Sequence, residues 1–399
     1  MTSLRSRIEA DRGFLDAFRH DLHRHPELMY QEHRTASRVA DELTQIGVPH
    51  RAGLAGGTGV VGWLPATVVT EHTRTIALRA DMDALPIEEE TGLPYASQTP
   101  GKMHACGHDG HTTVLMGTAR ALLQEADRPH NIVFLFQPAE EGGAGANRLV
   151  EDGALDGRVT GFKVDACFGL HGWPEEELGL WRIKEGPMMA ATDELRIHIR
   201  GRGGHAAAPH FTDDPVVATA HVITGLQSIA SRRVDPLDAV VVTIGAIHGG
   251  MANNVIPECV EMRGTLRTLQ AETRTFCREK IHQMVKGIAA AHNCTGDLEI
   301  LEGYPVTYNE SRATAHYRRL IAEVHGESAV QTLEAPVMGG EDFSYYGAHA
   351  PAAFAFLGLR REGDENPAPV HTPRFDWNDA ATPLGVEVFC RLALTPLSW

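Results

Sequence analysis

Four runs, "GVVGWL" at 59–64, "TIALRAD" at 75–81, "NIVFLFQP" at 131–138 and "DACFGLH" at 165–171, are short, β-rich and apolar with little alternation. Runs of that kind are strands buried on both faces, which an α/β layer provides and a one-sided antiparallel sheet does not. Helical stretches separate them, from about His111 to Gln124 and again from Ala146 to Glu151. Two helices precede the first strand. One is marked by Leu4, Ile8, Leu15, Phe18 and Leu22, the other by Ala36, Val39, Leu43 and Ile46 ahead of a capping Gly47. The expected fold class is therefore α/β, with a mixed, mostly parallel sheet flanked by helices.

Near residue 183 the texture changes. "DELRIHIRGRG" and "LDAVVVTIGAIHGG" alternate as strands, "DPVVATAHVITGLQSIASRR" reads as a helix, "ECVEMRGTLRT" as a strand and "AETRTFCREKIHQMVKGIAAAH" as a helix. That β-α-β-β-α order makes one small α+β two-layer domain. "LEILEGYPVTYN", a helix over 311–325, "AAFAFLGL" and a helix near Asn378 to Leu392 then resume the larger pattern. The expectation is a discontinuous main domain, 1–182 and 294–399, interrupted by an inserted domain at 183–293. A length of 399 residues with 43% hydrophobic content supports two cores of this kind.

Charge excludes some partners. Thirty-six basic against 52 acidic side chains leave a formal charge of −16, and no local run of Lys and Arg reverses it, so nucleic acid and anionic lipid are not expected partners. No run of eighteen apolar residues is present, and the first residues lack the apolar core of a signal peptide, so a cytoplasmic location is expected. The six cysteines, at 106, 167, 259, 277, 294 and 390, are scattered without C-x-x-C spacing, as reduced thiols are.

The chemistry concentrates just after the strands, where open α/β sheets place their sites. "KMHACGHDGHTTVLMG" at 102–117 sets Cys106 and His108 between turn residues at the mouth of a helix, able to point at one place; a helix end or a cation there would lower the pKa of the thiol. "FLFQPAEEGGAGA" ends a strand in Glu140 and Glu141. Adjacent side chains on extended chain diverge, so one carboxylate can ligate a cation while the other handles a proton. "FGLHGW" ends a strand in His171, and "APVHTPRFDWND" carries His371 on a proline-rich turn. Either histidine alone is equally readable as a buried, hydrogen-bonded side chain. Together Cys106, His108, Glu141, His171 and His371 supply donors for two cations sharing one ligand.

These stretches, with "LHRHPEL", "ALRADMDALPIEE", "GGHAAAPH", "NNVIP" and "GGEDFSYY" in that order, make nearly the whole chain resemble the zinc-peptidase-like amidohydrolases. That family includes hippurate hydrolases, N-acyl-amino-acid amidohydrolases and plant auxin-conjugate hydrolases. The wider family bridges its metals with an aspartate, and the branch resembled here uses a cysteine, matched by Cys106. The resemblance implies His108 and His171 on one cation, Glu141 and His371 on the other, and Glu140 as general base. Asp81 falls where the wider family has a metal-binding histidine, and Asp83 matches the aspartate that orients ligands. His205 matches a histidine that stabilises the oxyanion from the partner subunit of a dimer. Asn254 and Arg267 match positions that hold the substrate's α-carboxylate. The inserted domain is then a dimerisation and lid domain.

The expected activity is hydrolysis of N-acyl-L-amino acids by a water held between two divalent cations (Mn, Zn, Ni or Co) and deprotonated by Glu140. The expected assembly is a homodimer or higher homo-oligomer through the inserted domain. Three alternatives stand beside it: a dipeptidase or aminopeptidase using the same site, a cysteine-nucleophile amidase using Cys106 with His108 or His111, and a non-catalytic metal- or ligand-binding protein.

Overall fold

The computed structural model describes residues 3–397 and 399. The chain divides into two compact units, the first comprising residues 1–188, 308–335 and 342–399 and the second 189–307 with 336–341.

The first unit is built on an eight-stranded sheet whose order is His50–Leu54, Gly59–Leu64, Asn131–Gln137, Thr75–Asp81, Ala166–Glu177, Ala352–Arg360, Trp181–Ile183 and Val330–Thr332. Its centre is parallel: Thr75–Asp81 pairs in parallel with both Asn131–Gln137 and Ala166–Glu177, which pairs in parallel with Ala352–Arg360. His50–Leu54, Gly59–Leu64 and Trp181–Ile183 enter antiparallel, and Val330–Thr332 pairs in parallel with Trp181–Ile183. Thr75–Asp81 is buried at every position, as a strand covered on both faces must be. The α/β expectation with a mixed, mostly parallel sheet is met.

Helices cover the sheet. His108–Leu123 is buried nearly all round and packs beside Thr382–Leu394 and Arg12–Arg24. Gly110 and Gly117 make that approach possible, since a Cβ at Gly110 would stand 2.1 Å from the Trp377 ring and one at Gly117 2.7 Å from Leu15. The first helical pattern is split in two, Leu4–Ala10 and Arg12–Arg24, at Asp11.

The second unit is a two-layer sandwich. An antiparallel four-stranded sheet, ordered Val240–His248, Cys259–Thr268, Ala191–Arg200 and Thr295–Glu302, packs one face against Pro215–Arg232 and Ala271–Ala291. The expected boundary at 293 needs correction. Thr295–Glu302, read as a return to the larger pattern, pairs along its whole length with Ala191–Arg200, because backbone donors on that edge of the smaller sheet need a partner. The second unit therefore runs on to 307. Among the described residues no helix is long and apolar enough to cross a membrane.

Candidate metal centre

All the metal-ligand candidates lie in the first unit: His171 inside the strand Ala166–Glu177, which runs on past the end expected at that residue, Cys106, Glu141 and His371 in turns, and His108 at the start of a helix. Cys106 follows the turn that leads into His108–Leu123, with Gly107 in the left-handed region as the hinge into the helix. Its Sγ stands 3.3 Å from Nε2 of His171 and 3.3 Å from Nε2 of His371. His371 Nε2 is in turn 3.1 Å from a carboxylate oxygen of Glu141. Two donor sets result, Cys106 with His108 and His171, and Cys106 with Glu141 and His371, the ligand atoms of each set lying within 4.8 Å of one another. Cys106 is the member common to both.

The ring orientations are fixed by hydrogen bonds. His108 directs Nδ1–H at the carbonyl of Asp83 (2.9 Å) and at its Oδ1 (3.2 Å), which leaves Nε2 with the lone pair. That Nε2 is buried and has no hydrogen-bond partner among the described residues. His171 donates Nδ1–H to the Gly172 carbonyl at 2.8 Å, again freeing Nε2. The Gly172 amide donates to Nε2 of His111 at 2.9 Å, and His111 donates Nδ1–H to Asp81 at 2.6 Å. His111 therefore has no lone pair left and acts as a brace behind His171. His371 adopts φ +62°, rare for a residue with a side chain, and its amide is tied to the Ala105 carbonyl at 2.7 Å.

Asp83 organises the other side. Its carboxylate accepts the amides of Glu140 (3.0 Å) and Glu141 (2.9 Å) as well as the His108 ring. Glu140 is 7% exposed; its Oε1 accepts the Asp342 amide at 3.4 Å, and its carboxylate clusters with His108 Nε2 and Glu141 within 4.8 Å. Behind lies Arg79, 1% exposed, which binds Asp81 at 2.7 Å, Gln137 at 2.8 Å and Asp342 at 2.9 Å. Asp81, sited where the wider family is expected to have a metal-binding histidine, is thus committed to Arg79 and His111.

Electrostatics favour a cation here. Burial pulls His108 down, yet the carboxylates of Asp81, Asp83 and Glu141 outweigh it and push the ring up to about 10. That rise measures the demand for positive charge at Nε2, which a divalent cation would meet. His171 goes the other way: burial, with His111 beside it, holds the ring neutral, as a ligating imidazole must be. The Cys106 thiol is raised well above the ordinary range by burial and by Glu141, Glu140 and Asp81. This corrects the expectation of a thiol lowered by the helix end. A cysteine nucleophile would need that thiol ionised by a neighbouring base, and of the two candidates His111 is engaged with Asp81 and the Gly172 amide.

The donors fit divalent cations. A tetrahedral ion with ligand bonds of about 2.0–2.3 Å spans S and N donors about 3.5 Å apart, close to the 3.3 Å separations around Cys106. Cys, His and carboxylate together suit Zn, Mn, Ni or Co.

The remaining candidates lie in the second unit. His205 and Asn254 come together there because Gly204–His205 pairs antiparallel with Val255–Ile256, and the Ala206 amide donates to the Asn254 carbonyl at 3.0 Å. His205 is exposed, and its Nδ1 accepts the Ala207 amide at 3.0 Å, so Nε2 bears the hydrogen. Arg267, half-buried on Cys259–Thr268, has no ion-pair partner among the described residues, and burial lowers its pKa. Sequence reasoning misses Arg79. A charged residue inside the otherwise apolar "TIALRAD" was the available signal, because a buried guanidinium must be paired.

Comparison with known proteins agrees with this geometry. Over 381 residues the chain is 40% identical to "IAA-amino acid hydrolase ILR1-like 5" of Arabidopsis thaliana, covering 94% of this chain and 85% of the relative. It is 40% identical over 370 residues to "N-acetyl-L-cysteine deacetylase" of Bacillus subtilis (strain 168), covering 92% and 84%. The crystal structure of a dinuclear metal-binding peptidase from the M20 family, also from Bacillus subtilis, superimposes with a TM-score of 0.81 at 34% identity, covering 97% of this chain and 98% of that one. The sequence profile of peptidase family M20/M25/M40 matches residues 77–395, and the chain belongs to that family.

Proposed function

We propose that this chain hydrolyses the amide bond of N-acyl-L-amino acids, releasing a carboxylic acid and a free amino acid, with two divalent cations held by its first unit. The observation that carries the reading is Cys106 Sγ standing between Nε2 of His171 and Nε2 of His371 at 3.3 Å each. Cys106, His108 and His171 would hold one cation and Cys106, Glu141 and His371 the other. When bound, the pair supplies Lewis acidity to the scissile carbonyl and a lowered pKa to water.

The chain's own groups do the rest. Glu140 is free of the ligand set assigned here, so its carboxylate can take a proton from the attacking water and hand it to the departing amine nitrogen as the C–N bond breaks. Asp83 sets the directions of Glu140 and Glu141 by holding both amides. From the second unit we assign His205 to the developing oxyanion, which its exposed Nε2–H suits. Asn254 and Arg267 are assigned to the substrate carboxylate, a role the unpaired guanidinium supports. We assign the second unit as the dimerisation and lid domain, making the working form a homodimer in which His205 serves the partner's site. The exposed Val241 and Ile247 on the edge strand Val240–His248 support that pairing. All six cysteines are free, as a cytoplasmic location would have them. The relatives named above support the N-acyl substrate class.

The test is a panel of N-acetyl, N-benzoyl and N-indoleacetyl amino acids alongside free dipeptides, offered to metal-stripped protein reloaded with each divalent ion. Turnover of N-acyl amino acids only after reloading is expected. Turnover by the stripped protein, or of dipeptides alone, would overturn the reading.

A further inference from the structure

The strand end that carries Glu140 and Glu141 turns through a loop, 138–145, whose shape is held from outside the metal centre. Three consecutive amides are gripped by carboxylates: Glu140 and Glu141 by Asp83, and Ala139 by Oε1 of Glu32 at 2.8 Å. Ala139 needs that grip, since it sits at φ +55°, where a residue with a Cβ persists only if its surroundings dictate it. Glu32 and Ala139 are both fully buried. The other Glu32 oxygen accepts the hydroxyl of buried Thr58 at 2.8 Å.

Two residues earlier, Tyr30, itself at φ +59°, donates its hydroxyl to the Gly143 carbonyl and stacks under the Arg148 guanidinium, 4.1 Å from its ring centroid. A Cβ at Gly143 would lie 2.6 Å from that of Ala139 and 2.8 Å from the Tyr30 ring, so the loop has no room to relax on this side. The segment 30–32 thus clamps the loop at both ends. A carboxylate is expensive to bury in this position, and burial together with nearby Asp83 pushes Glu32 up to about 7. Helix Glu32 merely precedes, His33–Ile46, draws no side-chain cap from it.

We propose that Glu32 is a positioning residue for Glu140: by fixing the Ala139 amide it sets the direction in which the Glu140 carboxylate projects. The proposal rests on the reading that Glu140 carries the proton.

The experiment compares Glu32→Ala and Glu32→Gln in the full, metal-loaded protein. It measures steady-state kinetics on an N-acyl amino acid, cations per chain, and amide hydrogen exchange over 138–143. Glu32→Ala should lower kcat about 10- to 100-fold, with KM within threefold and the cations retained. Exchange at 139–141 should quicken about tenfold or more. Glu32→Gln, whose carbonyl oxygen still accepts the Ala139 N–H, should restore kcat to within threefold. An Ala variant within twofold of the parent, a loss carried by KM, a Gln variant as slow as Ala, or unchanged exchange would each overturn the proposal. If Glu32→Ala does not fold, Glu32→Asp, one methylene too short to reach the amide, carries the same expectations. A parent protein that turns over no N-acyl amino acid would sink the functional reading, while the exchange comparison would still decide the role of Glu32.

Discussion

Asp83 and His108 are tied twice, the imidazole Nδ1–H facing the Asp83 carbonyl at 2.9 Å and its Oδ1 at 3.2 Å. The same carboxylate takes two loop amides, so it fixes a histidine, the glutamate assigned to a cation and the glutamate assigned to the proton at once. Asp83→Asn puts an NH2 where one of these donors points. A loss of about 10- to 100-fold in cation affinity is expected, read by titrating stripped protein with Zn or Mn. Unchanged affinity would show that the His108 ring holds its orientation without the aspartate.

The bridging position tests charge. Cys106→Ala removes the donor common to both sets, whereas Cys106→Asp keeps an anionic one. Elemental analysis should find two cations per chain in the parent, fewer in the Ala variant and recovery in the Asp variant. Equal loading of the Ala and parent proteins would remove Cys106 from the centre.

Gly110 reverses an ordinary rule. Replacing a mid-helix glycine by alanine usually stabilises by about 0.5–1 kcal/mol. Here the added methyl would sit 2.1 Å from the fully buried Trp377 ring, which packs edge-on against His111. Gly110→Ala should instead cost about 1–3 kcal/mol, seen as a lower denaturation midpoint. A raised midpoint would mean that the indole is free to move.

His316 should make stability depend on pH away from the centre. Burial, with Arg319 and His130 nearby, depresses the ring to about 4 from an ordinary 6.5. Arg319 Nη2 donates to its Nδ1 at 3.2 Å, a bond only the neutral ring accepts. The folded state therefore binds fewer protons than the unfolded chain between those values. This stability is present above pH 6.5 and is lost as pH falls toward 4. Urea midpoints at pH 5 and pH 7 should differ less in His316→Gln than in the parent.

The buried strands and the five ligand candidates were legible because each rests on a local signal. Gly59–Leu64 is apolar throughout, Thr75–Asp81 is apolar but for Thr75, Arg79 and Asp81, and Cys106 and His371 fall in turns, whereas the strand expected to end at His171 runs on to Glu177. What stayed hidden depends on partners distant in the chain. His50–Leu54 is exposed over most of its length and carries no strand pattern. The sheet that Thr295–Glu302 joins is a tertiary choice that its own residues do not declare. Arg19 stands on the apolar stripe of its helix, four residues after Leu15, and what the sequence does not declare is that Asp109, Asp376 and Asp379 converge on it. The thiol of Cys106 was misjudged for the same reason, since the carboxylates that raise its pKa reach it only in the fold.

The most direct test of the central claim is turnover by Glu140→Gln with cations counted in the same preparation. The expected result is two cations per chain and a kcat about 100- to 10,000-fold below the parent, because the site is intact and the proton carrier is gone. A Gln variant that keeps its cations and hydrolyses N-acyl amino acids at the parental rate would contradict it.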